Sequence, residues 1–123
     1  MKPDKIRVKD LLRNWRYWAR DVEPDSAEIH YYTISPTFRD YVKPTPNFVR
    51  YDSAAAEAVE EVLRAMFKTH PKDREILFLY YICVNSQRDL AELLDLPRTT
   101  VRRRIHNAED TFADFWDLIF YRS

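Results

Sequence analysis

The sequence predicts a small, mainly α-helical domain that ends in a helix-turn-helix. Three observations carry that expectation. Apolar residues recur at intervals of three and four through most of the chain, the period of helices with one buried face. Glycine is absent from all 123 residues, which argues against phosphate loops and turns that demand positive φ. Residues 87–106, QRDLAELLDLPRTTVRRRIH, place Leu90, Leu94, Leu96, Val101 and Ile105 where two short helices must pack, with the small Ala91 at their crossing.

The first helix is expected over about residues 6–20, where Val8, Leu11, Leu12, Trp15, Trp18 and Ala19 form one apolar stripe. Its other face carries Lys9, Arg13, Arg16 and Arg20, read as a solvated basic face or a surface for phosphate or a partner. Residues 24–50 hold four prolines together with Tyr31, Tyr32, Phe38, Tyr41 and Phe48. They are expected to form an irregular, aromatic-anchored segment that wraps the helical body, with HYYTIS as a strand candidate lacking a clear partner.

Asp52 or Ser53 can cap a second helix whose buried stripe is Ala55, Ala58, Val59, Val62, Leu63, Met66 and Phe67. Glu57, Glu60 and Glu61 are expected on its solvent side. His70-Pro71 ends that helix, and Pro71 suits the first turn of the next, through about Cys83, with Ile76, Leu77, Leu79, Tyr80 and Cys83 inward. Ser86, with Asp89 three residues on, resembles a capping box at the start of the helix-turn-helix. The division expected is 1–50 for the first helix and irregular segment, and 51–123 for the helical body, with the DNA-binding domain at about 70–110.

Pro97 stops the first helix of the pair from running through the turn. Asp95 stands where such turns most often carry glycine, and aspartate tolerates the left-handed conformation better than most residues. The last helix runs from about Arg98 to near Tyr121, burying Val101, Ile105, Ala108, Phe112, Phe115, Trp116 and Ile119. Arg98, Thr99, Thr100, Arg102, Arg103 and His106 are the DNA-binding candidates, because donors on the first turns of such a helix can enter a major groove. Thr99, Arg103 and His106 point away from the buried stripe, with Arg102 and Asn107 on the flanks, and these are the base-edge candidates. Arg104 lies nearer the buried edge, which favours a structural ion pair or a phosphate contact, and Arg88 is a second phosphate-contact candidate.

The formal net charge is zero, yet the charges are segregated. Residues 1–20 hold seven Lys/Arg and two acids, and residues 98–106 hold four arginines and no acid. Acids gather at Glu57, Glu60 and Glu61 and again at Glu109, Asp110, Asp114 and Asp117. Such a dipolar molecule can turn a basic surface to DNA while an acidic one is repelled, and its non-specific affinity should be low. Help from a partner on DNA is therefore expected.

Enzymatic chemistry finds no support. No nucleophile–base signature or nucleotide loop is visible. His30, His70 and His106 stand near no cysteine cluster, so neither a metal nor a cofactor is expected. The single cysteine, Cys83, cannot close an internal disulfide and has apolar neighbours, which suggests a buried thiol. No apolar run is long enough for a membrane span and the N-terminus lacks a secretion signal, so a cytoplasmic location, away from membranes, is expected.

The stretch HPKDREILFLYYICVNSQRDLAELLDLPRTTVRRRIHNAED resembles the domain of bacterial sigma factors that reads the upstream promoter element. It shares a helix opening with "DRE" and running into Leu/Tyr residues, then a short break and the helix-turn-helix. The whole chain is similar to the small phage antitermination protein Q family, whose members open with a Trp-containing helix like LLRNWRYWAR and continue into one like YDSAAAEAVEEVL. That resemblance implies a protein that binds double-stranded DNA beside a phage late promoter. It also implies engagement of paused bacterial RNA polymerase, with its sigma factor still in play, so that the enzyme passes terminators. Carried onto this chain, Arg98, Thr99, Arg102, Arg103 and His106 would read or clamp DNA. Two other readings stay open from the residues alone: a conventional helix-turn-helix activator or repressor, which predicts self-association as a symmetric dimer, and a protein-interaction module without specific DNA binding.

Overall fold

The computed structural model describes residues 2–22, 50–84 and 86–121. The aromatic and proline-rich segment, with its strand candidate, falls outside the described residues, Arg50 apart. The fold is mainly α, and the described residues contain no strand. Helix α1 spans Lys5–Val22, α2 Ser53–Thr69, α3 Pro71–Phe78, α4 Gln87–Leu94 and α5 Arg98–Phe120. A π-helical turn, Leu79–Cys83, continues α3.

Each start has a local cause. The Asp4 carboxylate accepts the Arg7 N–H at 2.8 Å before α1. Asp52 caps α2 by accepting the Ala55 N–H at 3.1 Å. Asn14 locks that cap onto α1, donating to the Asp52 carbonyl at 2.8 Å and accepting the Asp52 N–H at 2.7 Å. Pro71 occupies the first turn of α3, where its missing N–H costs nothing.

All five helices share one core. Val8, Leu11, Leu12, Trp15, Trp18 and Ala19 of α1 meet Val59, Val62, Leu63 and Met66 of α2, with Leu77, Leu90, Val101, Ile105 and Phe112 beyond them. Trp15 is 1% exposed, so the apolar side of α1 is a core face. Its indole N–H donates to Glu60 at 2.7 Å. Glu60 is thereby half-buried rather than on the solvent side with Glu57 and Glu61, because a buried indole N–H needs an acceptor.

Several other burial expectations are corrected. Phe67 is 60% exposed, since the buried stripe of α2 consists of Ala56, Val59, Val62, Leu63 and Met66 and Phe67 lies on its flank. Ala56 is buried in that stripe, while Ala55 and Ala58 are only half-buried. Tyr80 is half-buried, whereas Phe78, Tyr81 and Ile82 are buried. The π-helical turn explains this, because wider winding rotates residues 79–83 out of the α-helical register. In α5, Phe115, Trp116 and Ile119 are half-buried, and Glu109, Ala113 and Asp117 join the buried side. Cys83 is buried, as expected.

Candidate nucleic-acid interface

Helices α4 and α5 are joined through Asp95, Leu96 and Pro97. Ser86 caps α4, its hydroxyl accepting the Asp89 N–H at 3.0 Å. The helix stops at Asp95, which adopts φ 54° and ψ 49°, the left-handed region. The Leu96 N–H then returns to the Ala91 carbonyl at 3.0 Å and the Asp95 N–H to that of Glu92 at 3.3 Å, the paired bonds of a Schellman stop. Pro97 follows, and its carbonyl accepts the Thr100 and Val101 N–H groups at 3.1 Å each, opening α5. Leu90 and Ala91 are buried in the same core as Val101 and Ile105, with Leu94 and Leu96 packed against it.

This arrangement fixes the outward side of α5. Arg98, Thr99, Arg102, Arg103 and Arg104 are exposed, and Thr100 and His106 are half-buried. Arg98, Thr99 and Arg102 line one groove together with Gln87 from the first position of α4. Gln87 was not among the sequence candidates. Its signal was its place directly after the Ser86 cap, where the start of α4 faces the start of α5. Arg104 stands on the opposite flank of α5, in a groove with Lys72, Asp73, Glu75, Ile76, Leu79 and Leu94. It is exposed, and among the described residues no ion pair engages it, so the structural ion pair expected for it is not found there. Arg88 is exposed and pairs with Glu92 one turn on, at 3.7 Å.

Among the described residues no ion pair engages Arg98, Arg102, Arg103 or Arg104. Four cations on about two turns, none held in an ion pair among the described residues, form a surface that attracts a polyanion. The basic side of α1 is different. Arg16 donates to the Tyr81 carbonyl and lies over the Tyr81 ring, and Arg20 donates to the Ile82 carbonyl. Both carbonyls sit at the end of the π-helical turn, where helical partners run out. Burial first, and the neighbouring Arg16 charge second, lower the Arg20 pKa from its ordinary value.

Lys9 reaches Glu109 at 3.3 Å. Lys5 reaches Asp110 at 2.8 Å, Glu109 at 3.8 Å and the His106 carbonyl at 3.1 Å. Lys2 reaches Asp114 at 2.7 Å. The expected solvated basic face is thus largely consumed inside the fold. The expected acidic pole on α5 is countered by the same lysines. Among the described residues no group of histidine, cysteine or carboxylate side chains could hold a metal ion, and no helix is long and apolar enough to cross a membrane.

The fold and this surface define a small helical protein with an unpaired arginine cluster on its longest helix. The family model for phage antitermination protein Q matches residues 5–118, and the chain belongs to that family. It is a family of transcription antitermination regulators, which is not an enzyme class. Neither the comparison with curated proteins nor that with solved structures gives a match.

Proposed function

We propose that this protein is a phage antitermination factor that binds double-stranded DNA near a late promoter through α4 and α5, used as a helix-turn-helix. On this reading it then modifies RNA polymerase so that the enzyme reads through terminators. Membership of the antitermination family supports the role. The observation that carries the DNA contact is the arginine cluster Arg98, Arg102, Arg103 and Arg104, exposed and without ion pairs on the start of α5, behind a short turn that holds α4 across its back.

In this reading α5 enters a major groove by its first turns. Thr99, Arg103 and His106 face the base edges, and Arg98, Arg102 and Gln87 grip the flanking phosphates. Arg104 serves the opposite strand, Thr100 lies beside the base-reading stripe, and Arg88 is a phosphate contact that must leave Glu92. Few phosphates are engaged at once, so polymerase supplies the remaining hold on DNA. The protein works in the cytoplasm of the infected bacterium.

The experiment is transcription in vitro with host polymerase, on a template carrying the DNA that flanks this gene and a strong terminator downstream. Greater read-through with unchanged initiation is expected. A change in initiation alone would replace antitermination by ordinary activation or repression.

A further inference from the structure

We infer that Lys2 and Lys5 act as a charge mask, cancelling acids that share the outward stripe of α5 with the DNA-facing arginine, so that the stripe can lie along a polyanion. The inference rests on the DNA-binding reading above. Asp110 lies seven residues after Arg103, which at about 100° per residue returns to within about 20° of the same direction. Asp114 lies eleven residues on and again within about 20°. Both are exposed. The stripe that begins Thr99, Arg103, His106 therefore continues as two acids. Asp110 is about 6 Å along the axis from His106, inside a Debye length of about 8 Å at physiological salt. A bare carboxylate there would repel the phosphates that the arginines attract.

The amino-terminal segment places one lysine on each acid. Lys5 Nζ stands 2.8 Å from Asp110 and Lys2 Nζ 2.7 Å from Asp114. Lys5 also donates to the His106 carbonyl at 3.1 Å, which fixes its ammonium at the boundary between the basic and acidic parts of the stripe. Lys9 is a separate case, since it serves the buried Glu109. Exposed pairs of this kind contribute little to folding, and their value here is the local field.

The test measures binding of full-length protein to a labelled duplex of the DNA flanking the gene, at low and physiological salt, with thermal unfolding alongside. The variants are Lys5→Gln, Asp110→Asn, their double, and Arg103→Ala. Lys5→Gln should weaken binding about threefold to tenfold at low salt and less at higher salt. Asp110→Asn should bind about twofold or more tighter than the wild type, and the double should return to within about twofold of the wild type. Opposite signs for the two single variants are the signature of a mask. Weakening by both would show that the pair matters as structure, and would overturn the inference, as would Lys5→Gln binding unchanged. If Lys5→Gln does not fold, Lys2→Gln with Asp114→Asn repeats the comparison on an exposed pair. Unchanged binding by Arg103→Ala would count against the DNA-reading assignment itself, separately from the mask.

Discussion

The Tyr81 hydroxyl donates to the Glu109 carboxylate at 2.6 Å, and Glu109 is 0% exposed. A phenol from the π-helical turn thus satisfies a buried acid on α5, and Lys9 from α1 compensates its charge. Three elements meet at one carboxylate. Leaving a buried charge short of partners costs more than a well-made pair gains, so the cluster fixes how α1 and α3 dock on α5.

Tyr81→Phe should therefore lower stability by about 1–3 kcal/mol near neutral pH, measured by denaturant unfolding. The pH dependence has a definite sign. Burial first, and the bond to Glu109 second, raise the Tyr81 pKa far above its ordinary value. The unfolded chain then releases this proton near pH 10 while the folded one keeps it, so stability falls as pH rises beyond about 10. That alkaline fall should be smaller in Tyr81→Phe than in the wild type. An equal fall in both would show that Tyr81 is not its source.

Trp15 is enclosed between α1 and α2, and its ring meets Phe78 edge-on with centroids 6.3 Å apart. Trp15→Ala should cost about 3–5 kcal/mol, read as a large drop in melting temperature. Trp15→Phe keeps most of the apolar volume but takes the donor from Glu60, and should cost about 1–2 kcal/mol. An unaltered melting temperature for Trp15→Ala would contradict the buried placement.

Asp95 is the one non-glycine residue with positive φ among the described residues. Asp95→Gly should be neutral or slightly stabilising, because relief of the left-handed strain offsets the extra freedom of the unfolded chain. Asp95→Ala should cost about 1 kcal/mol, since alanine tolerates the left-handed region less well than aspartate. Equal stability of the Ala and Gly variants would show that the turn, not the residue, sets the conformation.

Backbone chemistry made the helices legible in the sequence. Ser86 and Asp52 cap, Pro71 opens a helix and Asp95 ends one, each through bonds to its own neighbours. The apolar stripe of α1 was legible for the same reason, since period alone placed Trp15 inward. What period did not reveal was where charged side chains go. Arg16, Arg20 and Lys9 sit on the polar side of α1, and only the distant π-helical turn and the middle of α5 decide that they are used internally. Glu109 likewise reads as surface until Lys9 and Tyr81 arrive from positions 100 and 28 residues away. Of the interface, the arginines of α5 were visible as a run without acids. Gln87 was not, because its place beside Arg98 depends on the turn between two helices.

Arg103 is the substitution that bears most directly on the groove assignment. It is exposed and, among the described residues, without an ion pair, so Arg103→Ala should leave the melting temperature within about 3 °C, the change expected for a surface site. If its guanidinium reads a base edge, the loss should be about 1–3 kcal/mol for the preferred sequence and far less for duplexes altered at one base pair. If it only neutralises a phosphate, binding should weaken uniformly across sequences and the salt slope should fall by about 1. Titrations of wild type and Arg103→Ala against duplexes altered one position at a time separate the two outcomes. Its position on the outward stripe between Thr99 and His106 favours the first, so the expected result is selective loss at one base pair with the salt slope preserved.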